Sequence, residues 1–238
     1  MVSRLAVVGL VLVAVPSGVR SEPVALQTIP SVLSQPVHRT ELVVRVTRRL
    51  SIRAQPGAGS VIGRMPPSSP SYQQPTHAWV ISRTPNGRFG RVPVPFVARH
   101  RAGWIDLSGL TLSRTAIRVN ADLSRHVLVV LRRGHVLYRF RAATGAPATP
   151  TPTGRYFVTD RVPFVRTSPY GSFAFGLSGI QPNLPAGWTG GDQLAIHGTN
   201  QPTSIGKSVS TGCLRVSHRA LMRLKPLLQL GTPVVIST

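Results

Sequence analysis

A chain of 238 residues is long enough for one large domain or two small ones, each with its own core. Hydrophobic residues make up 42%, which excludes a disordered tail, and 22 Gly with 22 Pro favour short strands joined by turns over long helices. Twenty-eight Lys and Arg stand against six Asp and Glu, a net charge of +22 that suits a polyanion, but zinc-finger spacing, a basic zipper and an aromatic RNA-binding motif are all missing.

Residues 1–21 read as an export signal. Arg4 is the basic start, Leu5 to Val15 is the apolar run, and Pro16, Ser17 and Gly18 follow. The run is shorter than the ~20 residues of a membrane-spanning helix, so no stable transmembrane anchor is expected. Cleavage fits equally after Val15-Pro16-Ser17 or Val19-Arg20-Ser21. Residues 22–40, with Pro23, Pro30 and Pro36, read as a linker.

Residues 41–112 read as a small all-β unit. Leu42 to Val46, Ala78 to Ile81 and Gly103 to Ile105 are its strand candidates, Pro56 to Gly59 is a turn, and Trp79 and Trp104 are candidate core filling. From Thr115 the alternation sharpens. Ile117 to Asn120 and His126 to Leu131 are strands. Arg132-Arg133-Gly134-His135 is a hairpin turn into Val136 to Phe140. Arg155 to Thr159, Phe173 to Ser178, Leu194 to Ile196 and Pro233 to Ile236 are further strands. One helix is expected, with Ser217 as N-cap and Leu221, Leu224, Leu227 and Leu228 on one face. The class is mostly β: a β-sandwich over 115–238 with one main helix, plus a small N-terminal β-barrel.

Cys213 is the only cysteine, which excludes an intramolecular disulfide. A free thiol has a pKa of ~8.5 and needs a base or a polarising neighbour to act as a nucleophile at neutral pH. His197, just after the apolar Leu194-Ala195-Ile196, is a firmly placed candidate base. Gly212 permits a tight turn in which the N–H groups of Thr211, Gly212 and Cys213 could converge on an oxyanion. Taken singly, each residue is more often structural: a buried thiol, a hydrogen-bonded core histidine, a solvated arginine. Together they supply nucleophile, base and oxyanion donors.

His197-Gly198-Thr199, then Asn200, Pro202, Ser204, Ile205 and Gly206, then Ser210-Thr211-Gly212-Cys213-Leu214-Arg215, resembles the signature of the YkuD-type L,D-transpeptidase catalytic domain. Gly145-Ala146-Pro147, Thr151-Pro152-Thr153-Gly154 and Tyr170-Gly171 resemble that family's lead-in. The resemblance implies Cys213 as nucleophile, His197 as base and the Gly198 carbonyl as the group that orients the imidazole. It also puts Arg215 beside the site, with Thr199 and Ser210 as further substrate contacts. Implied too are 3→3 peptidoglycan cross-linking through a thioester with release of D-Ala, stem peptides as substrates, and no metal or organic cofactor. Many relatives have histidine where Thr211 stands, which leaves His197 as the only imidazole near Cys213 in sequence.

Upstream, Arg53-Ala54-Gln55-Pro56-Gly57, Val61-Ile62-Gly63, Trp79 and Gly103-Trp104-Ile105 resemble a bacterial SH3-like domain, one that docks on the catalytic domain or touches the wall. On this reading the protein is exported to a bacterial cell envelope, and the charge either suits anionic wall polymers or is a solvated basic surface from a genome that prefers Arg, with no nucleic acid expected as a partner. Two other functions fit the same residues: an L,D-carboxypeptidase, in which water resolves the thioester, and a non-catalytic wall-binding protein, against which the retained Cys213 and His197 argue.

Overall fold

The computed structural model describes residues 40–98 and 101–238. The expected signal, 1–21, and the linker, 22–40, lie outside the described residues except for Thr40. The described chain is mostly β, as its Gly, Pro and alternation patterns indicate.

The first eight strands are β1 (Glu41–Arg45), β2 (Leu50–Gln55), β3 (Ala58–Met65), β4 (His77–Val80), β5 (Ser82–Arg83), β6 (Phe89–Pro93), β7 (Ala102–Asp106) and β8 (Thr111–Thr115). They form a three-stranded sheet in the order β4-β1-β8 and a five-stranded sheet in the order β3-β2-β7-β6-β5. Val44, Ile52, Met65, Trp79, Val92 and Ile105 are buried between them. Trp104 differs from expectation. The period of two in β7 turns Gly103 and Ile105 inward, so Trp104 faces outward and is only half-buried.

The remaining strands are β9 (Ile117–Asp122), β10 (Val127–Arg132), β11 (His135–Gly145), β12 (Gly154–Pro163), β13 (Phe173–Ile180), β14 (Gln193–His197), β15 (Ser208–Ser210), β16 (Leu214–Val216) and β17 (Pro233–Ser237). Their order is β10-β9-β17-β12-β13-β14-β16-β11-β15, and β10 also pairs with β11. That last pairing closes the sheet on itself, so the expected sandwich is one continuous wall around a single core. β11 makes the closure because it is long: its first half pairs with β10, and Ala142 and Ala143 then pair with β16. Arg133 and Gly134, at φ of 52° and 86°, form the two-residue turn between β10 and β11, a backbone hand that matches strand twist.

The helix α1 (His218–Leu224) starts where the sequence indicates, with the Ser217 side chain accepting a hydrogen bond from the Ala220 N–H. It is shorter than expected. Lys225 still has helical backbone and donates its N–H to the Leu221 carbonyl, but Pro226 has no N–H to continue the ladder, so Leu227 and Leu228 pack on the core from the turn beyond.

β12 faces two cores. Tyr156 and Val158 point into the closed barrel, while Phe157, fully buried, points into the core of the N-terminal strands. Across the same boundary Arg118 pairs with Glu41 at 3.3 Å and lies over the Trp79 ring.

Candidate active site

Strands β13, β14 and β16 make the floor of the site. Ala174 lies opposite His197, Gly176 opposite Ala195, and His197 opposite Arg215. Strand alternation puts Ala174, Gly176, Ala195, His197 and Arg215 on one face, with Cys213 two residues before Arg215. On the opposite face Phe175, Leu177, Ile196 and Leu214 are core. The small residues on the open side leave a cavity of about 490 Å³, lined by Cys213, His197, Arg215 and Tyr170 among others.

Cys213 leaves a tight turn between β15 and β16. Ser210, 2% exposed, braces it: its hydroxyl donates to the Cys213 carbonyl at 2.6 Å and accepts from the Gly212 N–H at 3.1 Å. Gly212 sits at φ +106°, and a Cβ there would lie 2.3 Å from Gln181 Nε2. Gln181 cannot give way easily, since Nε2 donates to the Pro150 carbonyl at 2.9 Å. Any other residue at 212 is therefore doubly disfavoured, by backbone and by space.

The turn modifies the expected oxyanion set. The Gly212 N–H is committed to Ser210, while no hydrogen bond engages the Thr211 or Cys213 N–H among the described residues. Cys213 is partly exposed to the cavity, yet dense protein surrounds its sulfur, which sits 3.9 Å from the Gln193 carbonyl. Burial pushes the thiol pKa up; the Ala195 N–H and the Arg215 charge oppose that shift without cancelling it.

His197 ends β14 and is 3% exposed. Its Nδ1 donates to the Gly198 carbonyl at 2.5 Å, which leaves Nε2 as the acceptor nitrogen. Tyr170 packs edge-on against the ring with centroids 5.0 Å apart. Gly171, at φ +63°, brings the Tyr170 loop so close that a Cβ would lie 2.8 Å from the Gly198 Cα. Burial lowers the His197 pKa to about 4; the Gly198 bond raises it in part, and Arg215 lowers it further. Both shifts favour the uncharged forms, imidazole and thiol.

The other expected residues divide. Arg215 lines the cavity, its Nε is buried without a hydrogen-bond partner, and no carboxylate pairs with it among the described residues. Thr199 is not part of the lining, and its hydroxyl accepts from the Gln201 N–H at 3.0 Å. Sequence reasoning gave Gln181, Gln193, Trp188 and Tyr72 no role, though all four line the cavity. No local spacing distinguishes them from surface residues. Tyr170 was legible only through the lead-in motif.

The YkuD family, described as the L,D-transpeptidase catalytic domain, matches residues 116–236. The YkuD protein of Bacillus licheniformis is 31% identical over 120 residues, 50% of this chain and 65% of its own length. The YkuD protein of Bacillus subtilis is 30% identical over the same shares. The chain thus covers just under two thirds of these relatives. Among solved structures, an L,D-transpeptidase from Mycobacterium tuberculosis shares 17% identity with a TM-score of 0.44, covering 68% of this chain and 90% of that one. With the family match spanning just over half of its residues, the chain belongs to the YkuD family of L,D-transpeptidase catalytic domains.

Proposed function

We propose that the protein is an exported L,D-transpeptidase that forms 3→3 peptidoglycan cross-links through a Cys213 thioester, with a signal at 1–21, an SH3-like unit at 41–112 and the catalytic domain at 115–238. The observation that carries this reading is the site itself. The only thiol of the chain lines a cavity with an imidazole whose Nδ1 is fixed by Gly198, which frees Nε2 to take a proton.

The donor is a tetrapeptide stem whose terminal D-Ala is to be replaced. Cys213 Sγ attacks the carbonyl that precedes D-Ala, and the thiol proton passes to His197 Nε2 as the sulfur–carbon bond forms. Backbone N–H groups of Thr211 and Cys213 receive the oxyanion. The carbon–nitrogen bond then breaks, and D-Ala leaves as its amine with the proton from His197. A buried imidazolium with a pKa near 4 is a strong acid, which suits that second transfer. The side-chain amine of a second stem attacks the thioester and loses its proton to His197, and the thiol is restored as its sulfur takes that proton back. Arg215, with no carboxylate partner among the described residues, is suited to hold a substrate carboxylate.

Cys213→Ala tests the assignment. Intact-protein mass after exposure to a carbapenem should show one covalent adduct on the native protein and none on the variant. Purified native protein should convert tetrapeptide muropeptides into 3→3 dimers. Dimers formed by the variant would refute the mechanism.

A further inference from the structure

The N-terminal β unit reaches the catalytic cavity through the loop between β3 and β4. Ser71 and Tyr72, at its tip, line the same cavity as Cys213 and His197. Tyr72 is 46% exposed, and its hydroxyl makes no hydrogen bond among the described residues. It also stands near enough to Tyr170, the neighbour of His197, for the two phenols to interact electrostatically.

The loop is tied down at its base. Ser69, 2% exposed, donates its hydroxyl to Asp160 Oδ1, and its N–H donates to the Gln74 carbonyl at 2.8 Å. The Gln74 side-chain amide forms a reciprocal pair with the backbone of Arg161: Nε2 donates to the Arg161 carbonyl and Oε1 accepts from the Arg161 N–H, both at 3.0 Å. Asp160 is fully buried, and its other oxygen accepts from Thr159 Oγ1 and from Gln193 Nε2, each at 2.8 Å. Gln193 in turn presents its carbonyl to the Cys213 sulfur. One buried carboxylate therefore joins the loop of the N-terminal unit to the strand that carries the site. A buried charge is tolerated only when its hydrogen bonds are made, so this junction is costly to open and holds the loop in place.

We propose that this loop is a fixed wall of the substrate cleft and that Tyr72 is a specificity-determining residue for the donor stem peptide, contacting it through the ring face. The donor is the ligand in question because the cavity Tyr72 lines contains the thiol that the donor must reach. An exposed, unpartnered aromatic ring on a clamped loop is a ready surface for aliphatic side chains and amide planes, and little entropy is lost in ordering it further. The N-terminal unit thus takes part in substrate recognition as well as in packing.

The inference rests on the transpeptidase reading, and its test separates the two. D-Ala release from a free tetrapeptide stem is followed in full-length native protein, Tyr72→Ala and Tyr72→Phe. Tyr72→Ala should raise KM roughly three- to tenfold with kcat within about twofold, and Tyr72→Phe should stay near the native KM. Thermal midpoints should match the native one, because an exposed side chain with no partner adds little to stability. A native-like KM for Tyr72→Ala overturns the inference while leaving the transpeptidase reading intact. An equal loss of kcat with unchanged KM overturns it too. Absence of D-Ala release from the native protein overturns the functional reading on which it stands.

Discussion

His197 Nδ1 holds the Gly198 carbonyl at 2.5 Å while the ring is almost wholly buried, and the two effects pull its pKa in opposite directions. Burial wins, and the folded-state pKa falls from 6.5 to about 4. As pH drops from 6.5 towards 4, the unfolded chain takes up a proton that the folded chain refuses. Stability from this residue is therefore present above pH 6.5 and is lost across that window. Urea midpoints should fall between pH 7 and pH 4, less steeply in His197→Gln. Kinetics should follow the same titration. Because the thiol pKa is raised, the neutral pair persists across mid pH, and carbapenem acylation should stay flat from about pH 5 to pH 8. An acid limb centred near 6.5 would mean the imidazole is solvated. His197→Ala should slow acylation by about 10²–10⁴-fold, the scale of a lost general base, with far less effect from Thr211→Ala, which keeps its backbone N–H. Equal losses in the two variants would show that the base is misassigned.

β12 is the element on which fold and site both depend. Its Phe157 is fully buried in the N-terminal core, its Tyr156 and Val158 belong to the barrel, and its Asp160 anchors both Ser69 and Gln193. Phe157→Ala should destabilise the protein by about 3–5 kcal/mol, the usual range for a large aromatic removed from a core that cannot collapse around the gap. Since one strand carries both cores, unfolding of the native protein followed by tryptophan fluorescence and by far-ultraviolet dichroism should give coincident transitions. Two separated transitions would show that the N-terminal strands unfold alone. The short α1 contributes differently: Ala220, Leu221 and Leu224 are buried in the barrel core, and Leu221 also lies close to Gly198.

At the scale of the whole molecule the net charge of +22 has few internal partners, with three ion pairs among the described residues. Unpaired surface cations attract a polyanion through a field that salt screens over ~10 Å at 0.1 M and ~3 Å at 1 M. Co-sedimentation with isolated sacculi should therefore fall sharply between those concentrations, while carbapenem acylation, which on the proposed mechanism depends only on Cys213 and His197, should hold. Binding that survives 1 M salt would place recognition in stem-peptide or glycan contacts instead. No helix among the described residues is long and apolar enough to cross a membrane.

The sequence by itself determined what is local and periodic. Alternation at Ile117–Asn120 marked a strand because a strand buries every second residue, the expected strand at His126–Leu131 begins one residue later because His126 turns at φ 53°, and Ser217 marked the helix start because its hydroxyl caps a nearby N–H. The spaced His197 and Cys213 marked the candidate chemistry, because few residue types can act as nucleophile and base. Tertiary structure alone decided the rest. The closure of the sheet by β10 and β11 depends on pairing between strands that also have other partners. The commitment of the Gly212 N–H to Ser210 depends on turn geometry, and the pKa shifts of His197 and Cys213 depend on how much protein surrounds them. The junction of Ser69, Asp160 and Gln193 unites residues far apart in the chain, each an ordinary polar residue in its own segment. Nothing in a one-dimensional pattern records which distant polar group will satisfy a buried carboxylate; only the packed fold supplies that partner.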